Sequence, residues 1–192
     1  VVVGTHLEAC ATCRDRLHAL QTVGGALLEQ SEPLALDAGA WERTLARIDA
    51  LDEAPPPRAV RPHPPLPEGV AWPASLRGCD VSDWRWLGPG MRLARVTLPH
   101  DPQGTLYLLR IGPGRTLPRH THRSIELTQV LCGSFDDGRA MFGPGDFDTA
   151  DEQVHHQPSV RPDGPCVCLA YAGGPLRFEG RIASLIGGWV GM

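Results

Sequence analysis

The 192 residues suit one domain of ordinary size with a smaller module attached, and they suffice to bury a substantial core. The 18 basic residues, all Arg, stand against 22 acidic ones for a net charge of −4, which excludes a chain that is basic overall and built to grip nucleic acid. No apolar run approaches the roughly 18 residues of a membrane span, no basic-then-apolar leader is visible, and the six Cys lack a secreted disulfide framework. The expected setting is therefore the cytoplasm, with no membrane or direct nucleic-acid partner.

The first segment, Thr5 to Leu51, reads helical. Apolar residues recur at helical spacing through Leu7, Leu17, Leu20, Val23, Ala26, Leu27 and Leu28, and again at Trp41, Leu45, Ile48 and Leu51. Pro33 interrupts the pattern, and Asp37 or Gly39 is placed to open the second helix. Two short helices cannot bury their apolar faces alone, so they need a partner or further residues. The chain begins at Val1 rather than Met, and upstream residues are expected.

This segment carries His6-Leu-Glu-Ala-Cys10-Ala-Thr-Cys13. On one continuous helix, positions i, i+4 and i+7 fall within about 60° of one another, which puts His6, Cys10 and Cys13 on one face. Two thiolates and an imidazole are ligands that zinc prefers, and a fourth is missing. A thioredoxin-type redox pair would need a βαβ unit after it, and none follows. Inert buried thiols are the remaining alternative.

Residues 54–67, APPPRAVRPHPPLP, are half Pro and read as an extended linker, with His63 expected to be solvated. Charge divides here. Residues 1–53 hold 4 Arg against 9 acids, and the remainder holds 14 against 13. A small acidic helical module is suited to a basic partner.

From Trp72 the pattern changes to short apolar runs between turns, with strands expected at 84–87, 93–98, 106–111, 126–131, 139–142, 146–149, 167–171 and 176–178. Many short strands at such spacing indicate an all-β sandwich or barrel. Among them Gly114 to Gly133 fits G-x5-H-x-H-x3-E-x6-G, with His120, His122 and Glu126 as candidate ligands of a divalent metal such as zinc, iron, manganese or nickel. His120 and His122 leave one face of a strand. Glu126 would lie roughly 20 Å from His120 in a continuous strand, so the chain must bend at Arg123-Ser124-Ile125 for all three to share an ion. Cys166 and Cys168, two apart on an expected strand, are core thiols by default, with oxidation-sensitive thiols beside the metal as the other reading.

This stretch resembles the first conserved motif of the cupin superfamily, small antiparallel β-barrels with a metal inside the barrel mouth. Downstream, Gly138 and Pro144-Gly-Asp-Phe147 resemble the second cupin motif, but the usual P-x-G-x2-H ending is absent. The run GDF-x2-AD-x4-H-x-P is instead similar to the cupin-like domain of ChrR-type anti-sigma factors, in which branch the fourth ligand falls on His156 rather than His155. The H-x3-C-x2-C spacing resembles the zinc motif of the same anti-sigma factors, where a further His lies on an earlier helix.

The resemblance implies a mainly β fold: a cupin-like antiparallel jelly-roll barrel over 68–192, preceded by a helical zinc-binding anti-sigma domain over 1–53 and a linker over 54–67. It implies metal at His120, His122, Glu126 and His156, and zinc at His6, Cys10 and Cys13. It further implies an extracytoplasmic-function (ECF) sigma factor as partner, released when the barrel metal meets singlet oxygen or an organic peroxide. Homodimers through the barrel are common among cupins. The alternative is a cupin dioxygenase acting on a small diketone or aromatic ketone, and a metal-stabilised binding module is a third reading.

Overall fold

The computed structural model describes residues 1–50, 63–98, 100–174 and 176–178, so residues 54–62 of the expected linker lie outside the described residues. Three helices come first: α1 Val2–Ala9, α2 Ala11–Glu29 and α3 Ala40–Asp49. The expected single helix across the His6–Cys13 motif is broken at Cys10, whose backbone is extended at φ −107 and ψ 106. The three motif residues therefore do not share one continuous helical face. α2 ends before Pro33, and α3 opens at Gly39 in the left-handed region (φ 83), where Arg43 Nη2 donates to both Asp37 carboxylate oxygens at 2.6 Å. Among the described residues no helix is long and apolar enough to cross a membrane.

The described residues form two compact units. One comprises α2 from Thr12 together with α3. The other joins Val1–Ala11 to the residues from 63 onward, so α1 sides with the barrel rather than with the helical domain expected over 1–53. The reason is burial: Val2 is 4% exposed within the barrel's largest apolar cluster, and Thr5, 4% exposed, pairs its hydroxyl with that of Ser75 at 2.6 Å. Glu8 adds a latch by accepting the backbone N–H groups of Ala74 and Ser75 at 2.8 and 2.7 Å.

The barrel strands are β1 Asp80–Val81, β2 Arg85–Gly88, β3 Met91–Leu98, β4 Asp101–Ile111, β5 His120–His122, β6 Glu126–Cys132, β7 Phe135–Asp136, β8 Met141–Phe142, β9 Phe147–Ala150, β10 Ser159–Val160, β11 Cys166–Ala172 and β12 Leu176–Phe178. They pair antiparallel in a seven-stranded sheet of order β1-β3-β4-β11-β6-β9 with β2 beside β3, a three-stranded sheet β10-β7-β8, and the pair β12-β5. Ile111, Val130, Phe135, Val160, Cys166 and Cys168 form one cluster, so the two larger sheets face each other across an apolar interior. On the opposite face of the large sheet, Val2 of α1 and Leu76 of a 3-10 turn (Ala74–Leu76) cover Val96, Leu108, Val167 and Leu169. Because both faces are covered, β11 reads CVCLAYA, a continuous apolar run instead of an alternation. Leu76, Leu108 and Leu169 are 0% exposed, and burying each stabilises the fold by about 1.5–3 kcal/mol. His63, expected to be solvated, is half-buried instead: its ring packs on Trp72 at 4.3 Å between centroids, and its Nε2 lies 3.4 Å from the Cys79 carbonyl.

Gly133, just past β6, sits at φ 69 with the Pro165 carbonyl 2.3 Å and Cys166 Cα 2.8 Å from where a Cβ would stand. Neither obstacle is a side-chain tip that can turn away. Gly133→Ala is expected to cost about 3 kcal/mol or more and to lower Tm by roughly 6–12 °C, measured by calorimetry. An unchanged Tm would mean that β6 and β11 separate easily.

Candidate metal centre

β5 brings in His120 and His122 as alternate residues of one strand, both facing inward and 3% and 2% exposed. The chain then bends at Arg123 and Ser124 before β6 begins at Glu126. That bend carries the chain from the β5–β12 pair into the large sheet, and Glu126 Oε2 returns to 3.5 Å from His122 Nε2. His156 arrives from the long loop after β9 and is tied to His120 by two reciprocal backbone hydrogen bonds of 3.1 Å. His155 stays exposed. One ligand atom from each of His120, His122, Glu126 and His156 lies within 4.8 Å of all the others.

The protonation pattern tests whether a cation fits. His120 Nδ1 lies 2.8 Å from the Pro118 carbonyl, which only accepts, so Nδ1 carries the proton and Nε2 presents a lone pair. His156 Nδ1 faces Asp137 Oδ2 at 3.4 Å, with the same consequence. Yet His156 Nε2 is 3.1 Å from both His120 Nε2 and His122 Nε2. For His120 and His156 this sets lone pair against lone pair, which is repulsive unless a cation lies between them. Nitrogens each about 2.1 Å from one ion stand about 3.0 Å apart at a right angle and about 3.4 Å apart in a tetrahedron, so the spacing fits a divalent metal.

Burial dominates the electrostatics. It pushes His120 and His122 down to about 4 and lowers His156 as well, so the imidazoles are neutral and ready to ligate at pH 7. It pushes Glu126 up to about 7, against the hydrogen bond that Tyr107 Oη–H donates to Glu126 Oε1 at 3.3 Å. Binding a metal must therefore displace a proton from Glu126 below pH 7, while the two lowest histidines hold no proton until about pH 4. Metal affinity is expected to fall about tenfold per pH unit below pH 7, and more steeply once the histidines, all lowered by burial, take up protons. Chelator competition between pH 5 and 9 measures it, and an affinity that does not change between pH 8 and pH 5 would contradict this assignment.

Asp137, Arg139 and Tyr107 carry no motif signal; Asp137 lies in an Asp-Asp-Gly turn that reads only as a turn. Burial raises the Asp137 carboxyl, but the backbone N–H groups of Arg139 and Ala140 and the Arg139 guanidinium outweigh it and hold it below the usual range. Arg139 bridges Asp137 to Asp148, with Nη2 2.6 Å from Asp148 Oδ2. In the Asp137–Asp148–His156 cluster Arg139 already pairs with both carboxylates, and Asp137 Oδ2 faces the His156 ring.

Cys166 and Cys168 are buried with Sγ atoms 3.6 Å apart. The contact with Cys166 and burial push the Cys168 thiol well up, which suits core thiols and not reactive ones. At the N-terminus, His6 sits on α1 and Cys10 follows its end, both in the barrel unit, whereas Cys13 lies on α2 beyond the division between the units. All six cysteines are outside disulfides, and Cys10 and Cys13 are half-buried.

Residues 75–175 match the family model described as the ChrR cupin-like domain. The anti-sigma-E factor ChrR of Cereibacter sphaeroides is 40% identical over 186 residues, which cover 97% of this chain and 85% of that protein. Among solved structures, the complex of Rhodobacter sphaeroides SigE with the anti-sigma ChrR matches at a TM-score of 0.64 and 35% identity, over 89% of this chain and 86% of that one.

Proposed function

The chain belongs to the ChrR family of anti-sigma factors, and from that premise we propose that it sequesters an ECF-type sigma factor in the cytoplasm and releases it when the barrel centre meets singlet oxygen or an organic hydroperoxide. The observation that carries the partner is an apolar surface that stays exposed among the described residues. On α3, Trp41, Leu45 and Ile48 are 67%, 40% and 56% exposed, and on α2 Leu20, Leu27 and Leu28 are 62%, 63% and 74% exposed. Trp41, Leu45 and Ile48 stand at i, i+4 and i+7, one stripe of a helix. An unpartnered stripe of this size marks a protein-binding face.

Zinc at His6, Cys10 and Cys13 would order the entry into α2, because α2 and α3 carry no buried residues of their own. The donors His120, His122, Glu126 and His156 suit zinc or another divalent metal such as iron, manganese or nickel. Such an ion, when bound, would supply a Lewis-acidic centre open to an oxidant. The chain's own part is to keep three imidazoles neutral, to orient His156 through Asp137, and to hold Glu126 ready to ionise.

In vitro transcription from a promoter of the cognate ECF sigma factor tests this. The full chain should repress at equimolar amounts, an organic hydroperoxide should relieve repression, and His120→Ala/Glu126→Ala should leave repression deaf to peroxide. Absence of repression, with oxygen uptake on a diketone, would move the chain to the dioxygenases.

A further inference from the structure

The barrel unit carries a groove of about 590 Å³ at the end of the large sheet, lined in part by Trp86, Arg92 and Arg110. Register sets these three residues in one cross-strand row, Trp86 opposite Arg92 on β2 and β3, and Arg92 opposite Arg110 on β3 and β4. Residues directly opposite in an antiparallel pair leave the same face of the sheet. Two positions along that face, Ala94 and Leu108 are 0% exposed in the apolar cluster beneath α1, so the row belongs to the outer face, away from the metal centre.

Burial ends at this row. Trp86 is 73% exposed, Arg92 is exposed and Arg110 is half-buried. Cross-strand neighbours stand about 5 Å apart, and like charges set directly opposite destabilise a sheet. Among the described residues no carboxylate pairs with Arg92 or Arg110, and the groove lining contributes two arginines and no acid. Arg115 adds a third cation at the rim, with its Nε 3.1 Å from where a Cβ on Gly90 would stand. Gly88, Gly90 and Gly112 also line the groove, and with no side chains there its floor stays open.

We propose that this groove is a binding site for a phosphomonoester that carries a planar ring, of mononucleotide size. A guanidinium fork takes phosphate oxygens two at a time, and one phosphomonoester dianion matches two guanidinium charges where a carboxylate matches one. The exposed indole beside the arginines offers a face on which a ring stacks. The volume lies inside the roughly 300–1,000 Å³ of small-molecule pockets.

Calorimetric titration of the full chain with adenosine monophosphate tests the site, with glycerol 3-phosphate as the ligand that keeps the phosphate and lacks the ring. Adenosine monophosphate should bind with a Kd between about 10 μM and 1 mM, and glycerol 3-phosphate at least about fivefold more weakly. Arg92→Gln and Arg110→Gln should each weaken adenosine monophosphate about tenfold or more, because each removes a charge-assisted contact. Trp86→Ala should weaken it about 5- to 100-fold and abolish the preference over glycerol 3-phosphate. Arg92→Gln also relieves the like-charge pair, so its Tm should hold or rise by about 1–3 °C, which separates lost binding from lost folding. No binding heat at about 5 mM adenosine monophosphate, or affinity within about twofold of wild type in Arg92→Gln/Arg110→Gln, overturns the proposal. A single-stranded hexanucleotide that binds more than about tenfold tighter than adenosine monophosphate overturns it too, because the occupant would then be a nucleic-acid strand.

Discussion

Glu126→Gln is expected to stabilise the metal-free barrel and to destabilise the metal-loaded one, a reversal that a merely structural carboxylate would not produce. Burial raises the folded-state Glu126 from the usual carboxylate range to about 7. Between about pH 4.5 and 7 the folded state then binds more protons than the unfolded one, so this contribution to stability is present at low pH and is lost as pH rises through 7. At pH 8 the ionised, buried Glu126 costs the metal-free fold about 3 kcal/mol, and a neutral amide in its place recovers that. Stripped Glu126→Gln should melt about 10 °C above stripped wild type at pH 8, with the gap closing by pH 5. With metal present the order inverts. One of four ligands accounts for roughly 3–4 kcal/mol of a total near 10–16, so the variant should lose about 10²- to 10³-fold in affinity. Calorimetry of loaded and stripped protein at both pH values measures all four cases, and the same ranking in the loaded and stripped states would remove Glu126 from the ligand set.

Trp41→Asp and Ile48→Asp should each weaken sigma-factor binding by about 30-fold or more, and the pair should abolish it, with Tm and barrel metal content unaffected. Neither side chain is buried in the chain, so the fold loses little. A desolvated aromatic anchor at the centre of an interface is worth about 2 kcal/mol or more, and an Asp in its place must also be buried unpaired. Surface plasmon resonance against the immobilised sigma factor measures the effect. Binding within a factor of about two of wild type would place the docking face elsewhere, because a surface change off the interface costs little.

Much of the barrel centre was legible because its spacing encodes local geometry. His120 and His122 had to share a strand face, and the excess length to Glu126 required a bend, which falls at Arg123 and Ser124. The long strands followed from their apolar runs, whereas β1, β7 and β10, two residues each, are held by pairing partners rather than by any pattern of their own. His156 came only through family resemblance, since its approach depends on a loop bridged to His120. The place of α1 was not legible: it buries only Val2 and Thr5, too few for a periodicity, and its long-range partners at Ser75, Ala74 and Gln129 lie far along the chain. The break at Cys10 was hidden for a similar reason, because no Pro or Gly marks it and helix periodicity runs on through it. Asp137, which faces His156, belongs to no spacing rule.

The central claim, that this member of the ChrR family is an anti-sigma factor, is met most directly by titrating the full chain, loaded with metal, into its cognate ECF sigma factor in a calorimeter. A saturable one-to-one complex is expected, one that competes with core RNA polymerase and dissociates when an organic hydroperoxide is added. A fully metal-loaded chain that gives no binding heat and leaves the sigma factor free to load onto polymerase would contradict it.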